Sequence, residues 1–507
     1  MSAAERKASA NDFKDGKIIV MLASKAFGMG INIGDIENIY HYAPTGELSD
    51  YIQEIGRAAR DSSAVPVGHA IIDYLSRGMM HFAQTLWGLS GLRQRQLRAM
   101  MSKLYQLYAQ KNNRNLLFEP EIFSYLFGDR ELDNTVKSGL MLLSTDLHDR
   151  YRFPVISVRP KSLFSTHYVV VPKNLEPDFL SRYGAFAKKI VQNYSRYIAG
   201  GKSGSVFNKK LGDIFEMDLG ELWEKKFSQL TFANFKRKFF NEDIFGLNTS
   251  VDRIAPQIQI SIHYEKDYPA VVSEFTRIAE ALELTFTSLR KTFGQKNFTL
   301  RDFIDEFKKC GGNALSSDYF SVLLDLFAYR NEFSAQPASY VPPPEFWKFV
   351  NKNIASSSKN TAPKYSIVTQ KFQFLEQNLR LALNNAVPSG KDYVGYISIP
   401  IDRQPFSDLH LLASLLQIFG LATYESVGGR NPKIFIQLND PDKIRKLSTD
   451  TSYRNEILQK IGKRHARAAV IINAFMFGNF TDAERWDIIE QYFLGNDDRV
   501  QALLNIP

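Results

Sequence analysis

The amino-terminal part of the chain alternates short apolar runs with a helical pattern. Lys17-Ile-Ile-Val-Met-Leu-Ala23 is continuously apolar after its first residue and predicts a strand buried on both faces, as in a parallel sheet. Asn38-Ile-Tyr-His-Tyr42 predicts a second strand, ending before Pro44, and Gly68-His-Ala-Ile-Ile-Asp-Tyr74 a third. Between these two, residues 48–61 follow a helical period, with Ser49 as the candidate cap. The series β-loop-β-helix-β is that of an α/β domain.

Farther along, the helical period dominates. Residues 89–110, 118–127 and 132–147 read as helices, and 153–159 as a strand, a succession open to either a winged helix or a plain helical subdomain. Residues 225–240 interleave lysines and Arg237 with five phenylalanines, a pattern that favours a core helix over a nucleic-acid surface. Gln257-Ile-Gln-Ile-Ser-Ile262 alternates as a half-buried strand, and 268–284 is helical. Thr299-Leu-Arg-Asp302 forms a capping box opening a helix to Lys309, with another helix over 317–329. Residues 334–344 and 355–363 read as linkers, the first rich in proline and the second polar. A strand at 393–400, a helix at 407–419 and two strands at 421–427 and 433–438 follow, giving a strand-helix-hairpin series of winged-helix outline. Its turn, Gly428-Gly-Arg-Asn-Pro432, presents Arg430 and Lys433 as candidate contacts to a DNA backbone. The cluster Lys460, Lys463, Arg464 and Arg467 opens a final helical region. The boundaries fall at 1–78, 79–175, 176–333, a linker at 334–365, 366–445 and 446–507.

Composition narrows the classes. The 63 Lys+Arg exceed the 54 Asp+Glu by nine, a mild surplus suited to a polyanionic partner. A single cysteine, Cys310, excludes a disulfide framework and any multi-cysteine zinc site. No apolar run has membrane-spanning length and no signal-peptide core opens the chain, so a soluble, cytoplasmic protein without a membrane partner is expected.

Two motifs carry chemistry. In Ala23-Ser-Lys-Ala-Phe-Gly-Met-Gly-Ile-Asn32, Gly28 and Gly30 let the backbone approach a ligand closely. In Tyr51-Ile-Gln-Glu-Ile-Gly-Arg-Ala-Ala-Arg-Asp61, Gln53, Arg57 and Arg60 stand at spacings of four and three, as on one helical face. The first resembles motif V and the second motif VI of superfamily 2 helicases. Ala-Phe-Gly-Met-Gly-Ile-Asn is closest to the RecQ family of ATP-dependent DNA helicases, over about residues 11–75. Ala59 stands where that family usually has glycine. The resemblance implies a partial second RecA-like domain in which Arg60 is the arginine finger and Arg57 and Gln53 assist at the phosphates. It further implies that Gly28, Gly30 and Asn32 link the nucleotide to the bound strand, with Ser24 and Lys25 near the DNA.

What an ATPase of this kind also needs is not in the sequence. Gly200-Gly-Lys-Ser203 has Arg196 where a phosphate loop requires glycine and reads as a flexible linker after a helix; Asp305-Glu306 lies within a helical pattern. The first motor domain is therefore expected on a missing amino-terminal helicase half, in the same gene product or a separate chain, and that half would bind most of the ATP and Mg²⁺. The RecQ zinc module is excluded, although Ala483-Glu-Arg-Trp-Asp-Ile-Ile-Glu-Gln-Tyr-Phe-Leu-Gly495 faintly echoes its aromatic-rich stretch. The expected architecture is thus an α/β partial RecA-like helicase C-terminal domain followed by a mostly helical α+β region with winged-helix modules. The expected function is the rear half of a RecQ-like DNA helicase, inactive alone as an ATPase. A non-catalytic nucleic-acid-binding or adaptor subunit is the alternative, and an RNA helicase fragment a third reading.

Overall fold

The computed structural model describes residues 3–23, 33–41, 45–72, 92–127, 132–160, 166–200, 205–249, 251–294, 296–313, 315–328, 350–353, 364–368, 372, 375–389, 392–398, 408–429 and 431–504. They form two units: Met1–Leu92 together with Glu456–Pro507, and Arg93–Asn455. The chain leaves the first unit, builds the second, and returns to finish the first.

Helix α1 (Ala3–Lys14) precedes the first departure from expectation. Residues 17–23 form no strand, and Ile19, Val20 and Leu22 are 90, 74 and 98% exposed. A doubly buried strand needs a neighbour on each side, and this unit's sheet has two strands among the described residues, β1 (Asn38–His41) and β2 (His69–Ile72). They pair in parallel, Asn38 opposite His69 through His41 opposite Ile72, and α2 (Leu48–Ile55) makes the crossover. Helix α2 starts one residue before Ser49, with Glu47 at its N-cap.

Among the described residues the second unit is mixed α+β, with more residues in helix than in strand, but it holds more strands than the sequence pattern suggests. Its helices α3 (Gln94–Lys111) and α4 (Leu132–Tyr151) precede and follow β3 (Asn115–Phe118). Strands β4 (Ile156–Pro160), β5 (Thr166–Val171), β6 (Ala187–Gly200), β7 (Ser205–Asp218) and β8 (Ala255–Tyr264) come next. Gly200 closes β6, so the glycine-rich stretch lies between two paired strands and does not follow a helix. Helix α5 (Tyr268–Phe293), the short β9 (Phe298–Thr299), β10 (Val350–Asn353), β11 (Lys364–Ile367), β12 (Val387–Ser389) and β13 (Asp392–Ser398) lead to α6 (Asp408–Ile418). Thr299 and Asp302 make the expected reciprocal capping box, with the helix running Leu300–Lys309.

The largest sheet orders β12-β13-β8-β5-β7-β6, and β14 (Ala422–Val427) also joins β8. Here the hairpin expectation fails. β14 pairs with β8, whereas β15 (Ile434–Leu438) pairs with β3 and β4 in a separate three-stranded sheet. The two strands are stitched into different layers because each finds an apolar neighbour distant in sequence; Ala422 and Tyr424 are buried on one, Ile434, Ile436 and Leu438 on the other. Residues 225–240 serve the core: Phe235, Phe239 and Phe240 join Phe179, Phe215 and Phe245 in one apolar cluster.

On returning to the first unit, the chain forms α7 (Glu456–Phe477), α8 (Asp482–Phe493) and α9 (Asp497–Leu504). Their apolar faces supply what the two-stranded sheet cannot. Leu48 of α2 is fully buried among Ile471, Ile472, Phe475, Ile488, Val500 and Leu504. No helix of the described residues is long and apolar enough to cross a membrane.

Candidate functional site

The site grows from how α2 is held. Leu48, Tyr51 and Ile52 pack onto the carboxy-terminal helices, with the Tyr51 ring 6.0 Å from Phe475 and 5.4 Å from His41. Burial pushes the Tyr51 hydroxyl above its ordinary pKa, so it stays neutral. From the sheet side, His41 Nε2 meets Glu54 Oε2 at 2.8 Å. Arg485 donates to the carbonyls of Phe475 and Gly478 while its guanidinium covers the Phe475 ring at 5.1 Å, fixing the turn between α7 and α8. With one side of α2 occupied, Gln53 is left exposed on the other.

The helix then ends sooner than its spacing predicts. Gly56 caps it after Ile55, and residues 56–59 continue as turns. Arg57 and Arg60 therefore sit beyond α2, and one helical face does not carry all three residues. A different device holds them. Ala59 N donates to Ile36 O at 2.9 Å and Asp61 N to Gly34 O at 3.3 Å, tying the arginine segment to the stretch before β1. Arg60 Nε donates to Gly56 O at 3.2 Å and the residue is exposed; Arg57 is half-buried. Ala59 has φ of 51°, in the left-handed region where glycine is at ease and a side chain is strained. Asp61 closes the segment by accepting from the Ser63 hydroxyl and amide, which hold its carboxyl below the usual range.

Ser24, Lys25, Gly28, Gly30 and Asn32 lie outside the described residues, as does Arg430. Lys433 follows a segment whose described residues are pinned. The amides of Gly428 and Gly429 donate to Glu119 at 3.0 and 2.8 Å, and Asn431 Nδ2 donates to Glu121 Oε1 at 2.9 Å. Burial raises the Glu119 carboxyl, while these amides and the charges of Lys433 and Lys236 pull it back. Gly428, at φ 96°, is required there, since a Cβ would stand 3.0 Å from Gln257 O. Among the described residues no group of three His, Cys, Asp or Glu side chains could hold a metal ion.

A Ser–His pair in the second unit invites attention as a nucleophile. Ser124 Oγ is 2.5 Å from His410 Nε2, but it also donates to Glu121 O at 2.7 Å and is wholly buried. The hydroxyl proton is engaged by a carbonyl and no substrate can reach the oxygen, so the pair is structural.

The amino-terminal segment that contains α2 has recognisable relatives. Residues 1–62 match the helicase conserved C-terminal domain. Over 59 residues, 12% of this chain, it is 44% identical to the ATP-dependent helicase wrn-1 of Caenorhabditis elegans, covering 6% of that protein. It is 41% identical over 61 residues to the ATP-dependent DNA helicase Q-like 5 of Arabidopsis thaliana, covering 7% of it. The bifunctional 3'-5' exonuclease/ATP-dependent helicase WRN of Mus musculus is 46% identical over 61 residues, 4% of its length. The chain thus spans a small fraction of each relative. No solved structure matches it. Its amino-terminal segment matches the helicase C-terminal domain and is similar to these helicases over about 60 residues.

Proposed function

We propose that this RecQ-like segment completes the nucleotide site of an ATP-dependent DNA helicase, supplying Arg60 to a triphosphate held by a facing motor domain. The single observation that carries this is the tethered arginine segment: residues 57–61 are hydrogen-bonded to residues 34–36 in a region matching the helicase C-terminal domain, and Arg60 is exposed. A guanidinium that serves a nucleotide bound elsewhere must be accessible on its own chain and fixed at its root, and Arg60 meets both conditions. Arg57 and Gln53 assist at the phosphates and the domain interface in this reading. Gly28, Gly30 and Asn32 couple the cleft to the strand contacted by Ser24 and Lys25.

ATP with Mg²⁺ supplies the phosphoryl chemistry when bound. What the chain's own residues contribute is a positive charge placed where negative charge develops, together with a base rigid enough to return it to the same point in each cycle. The sequence contains no phosphate loop, so we assign the cradle to the facing domain. In the same reading DNA is the track, and closure of the two domains advances it.

The test is reconstitution of DNA-stimulated ATPase with a RecQ-type first motor domain. The wild-type chain is expected to raise turnover and Arg60→Ala to lower that stimulated rate by about 10³-fold or more. An Arg60→Ala rate equal to the wild type would overturn the assignment.

A further inference from the structure

We propose that the long hairpin of the second unit is an arm that binds duplex DNA by lying in its major groove. The inference goes beyond the motor reading, since groove binding requires neither nucleotide nor Arg60.

The arm's root is built into the sheet. From Asp213 to Asp218, β7 lies between β5 and β6; from Ser205 to Gly212 it pairs with β6 alone. The change comes at Gly212, whose φ of 131° and absent Cβ are both needed, because a Cβ would stand 2.0 Å from Val171 O. On the other strand, register shifts between Lys189 and Ser195 mark bulges, which bend and twist a ribbon away from its sheet. Asp213, fully buried, locks the root by accepting from Lys173 and Lys189 and, at 2.9 Å, from the Asn193 amide. Tyr194 donates to Tyr396 O at 2.9 Å beside it.

Beyond the root the ribbon runs from Ser195 opposite Lys210 to Gly200 opposite Ser205. At about 3.3 Å per residue that is roughly 17 Å of two-stranded arm. Its charge has one sign. The sequence from Ser195 to Lys210 contains four Lys and Arg and no Asp or Glu. Lys209 and Lys210 are exposed, with no ion-pair partner among the described residues. As successive strand residues they put positive charge on both faces. A ribbon of two strands fits the B-form major groove, about 12 Å wide, with phosphates along both walls to meet both faces. The A-form groove of an RNA duplex is too narrow to admit it.

The experiment uses the full chain without ATP and a fluorescein-labelled DNA duplex, read by anisotropy from about 50 to 200 mM salt. Losing two phosphate contacts in Lys209→Gln/Lys210→Gln is expected to flatten the slope of log K against log salt by about 1.8. Lys209→Arg/Lys210→Arg should restore the wild-type slope. Lys225→Gln/Lys226→Gln, on an exposed helix end elsewhere in the same unit, should leave it unchanged. A wild-type slope in the Gln variant, no wild-type binding to the duplex, or equal wild-type affinity for an RNA duplex would each overturn the proposal. None of these outcomes depends on the ATPase, so a failed motor assignment leaves the arm standing, and the reverse holds too.

Discussion

His41 Nε2 and Glu54 Oε2 lie 2.8 Å apart, joining the last residue of β1 to the last turn of α2. This bond and the packing of Leu48 both hold one short helix, and the arginine segment begins directly after it. His41 is buried, and among the described residues its Nδ1 has no hydrogen-bond partner, so Glu54 is the group that bonds to the ring. Glu54→Ala is expected to destabilise the first unit by about 1–3 kcal/mol, the cost of a buried polar group left unmade. Thermal or denaturant melting checks this, with Glu54→Gln, which can still bond to the ring, losing less.

The left-handed Ala59 gives a prediction of opposite sign. Replacing it by glycine relieves a conformation costing about 1–2 kcal/mol in L-residues and returns part of that through the freer unfolded chain. Ala59→Gly should therefore raise stability, by up to about 1 kcal/mol in urea melts. A loss of stability would mean that the methyl group packs more than its backbone strains.

Leu48 and Ile472 are more than four hundred positions apart in sequence, yet share one apolar cluster. Leu48→Ala and Ile472→Ala should each cost about 2–5 kcal/mol, and a double-mutant cycle between them should show coupling of about 0.5 kcal/mol or more. Strict additivity would argue against the discontinuous unit.

The second unit contains a lysine that titrates against its surroundings. Lys103 Nζ is fully buried, donating to Gln417 Oε1 and Tyr424 O at 2.6 Å each and standing 4.4 Å from the Tyr424 ring. Burial lowers its pKa from the ordinary 10.5 to about 7, opposed by Glu425 and helped by Lys111. Between those values the unfolded chain binds a proton that the folded chain has released. Stability should thus rise with pH from about 7 towards 10.5, by up to about 1.4 kcal/mol per pH unit. Lys103→Met, of similar volume, should remove that rise from the pH dependence of denaturant midpoints.

How much of this was legible in the sequence differs by element. β1, α2 and β2 were, because period and turn residues sit side by side within 37 positions, 38–74. The site residues were legible as residue types, but not the end of α2 at Ile55. Spacings of four and three describe a helix only while the backbone stays helical, and the Gly56 cap with the bonds to Gly34 and Ile36 diverts it. The strands 422–427 and 434–438 were found, and their partners were not. A hairpin is the default for neighbouring strands, yet Glu119 and Glu121 hold the intervening segment while each strand pairs elsewhere. Residues 17–23 looked like a core strand because hydropathy reports what would be buried given a partner, whether or not one is beside it. The pairing of Leu48 with the carboxy-terminal helices leaves no local signal at all.

That last pairing sets an order of events during synthesis. The ribosome delivers α2 early, but the helices that cover Leu48 emerge only after residue 456, so the motor-like segment must wait, half-clad, while some 360 intervening residues organise themselves. An element made before the second unit is completed only after it, and an intervening unit that misfolds would leave it a target for chaperones and proteases.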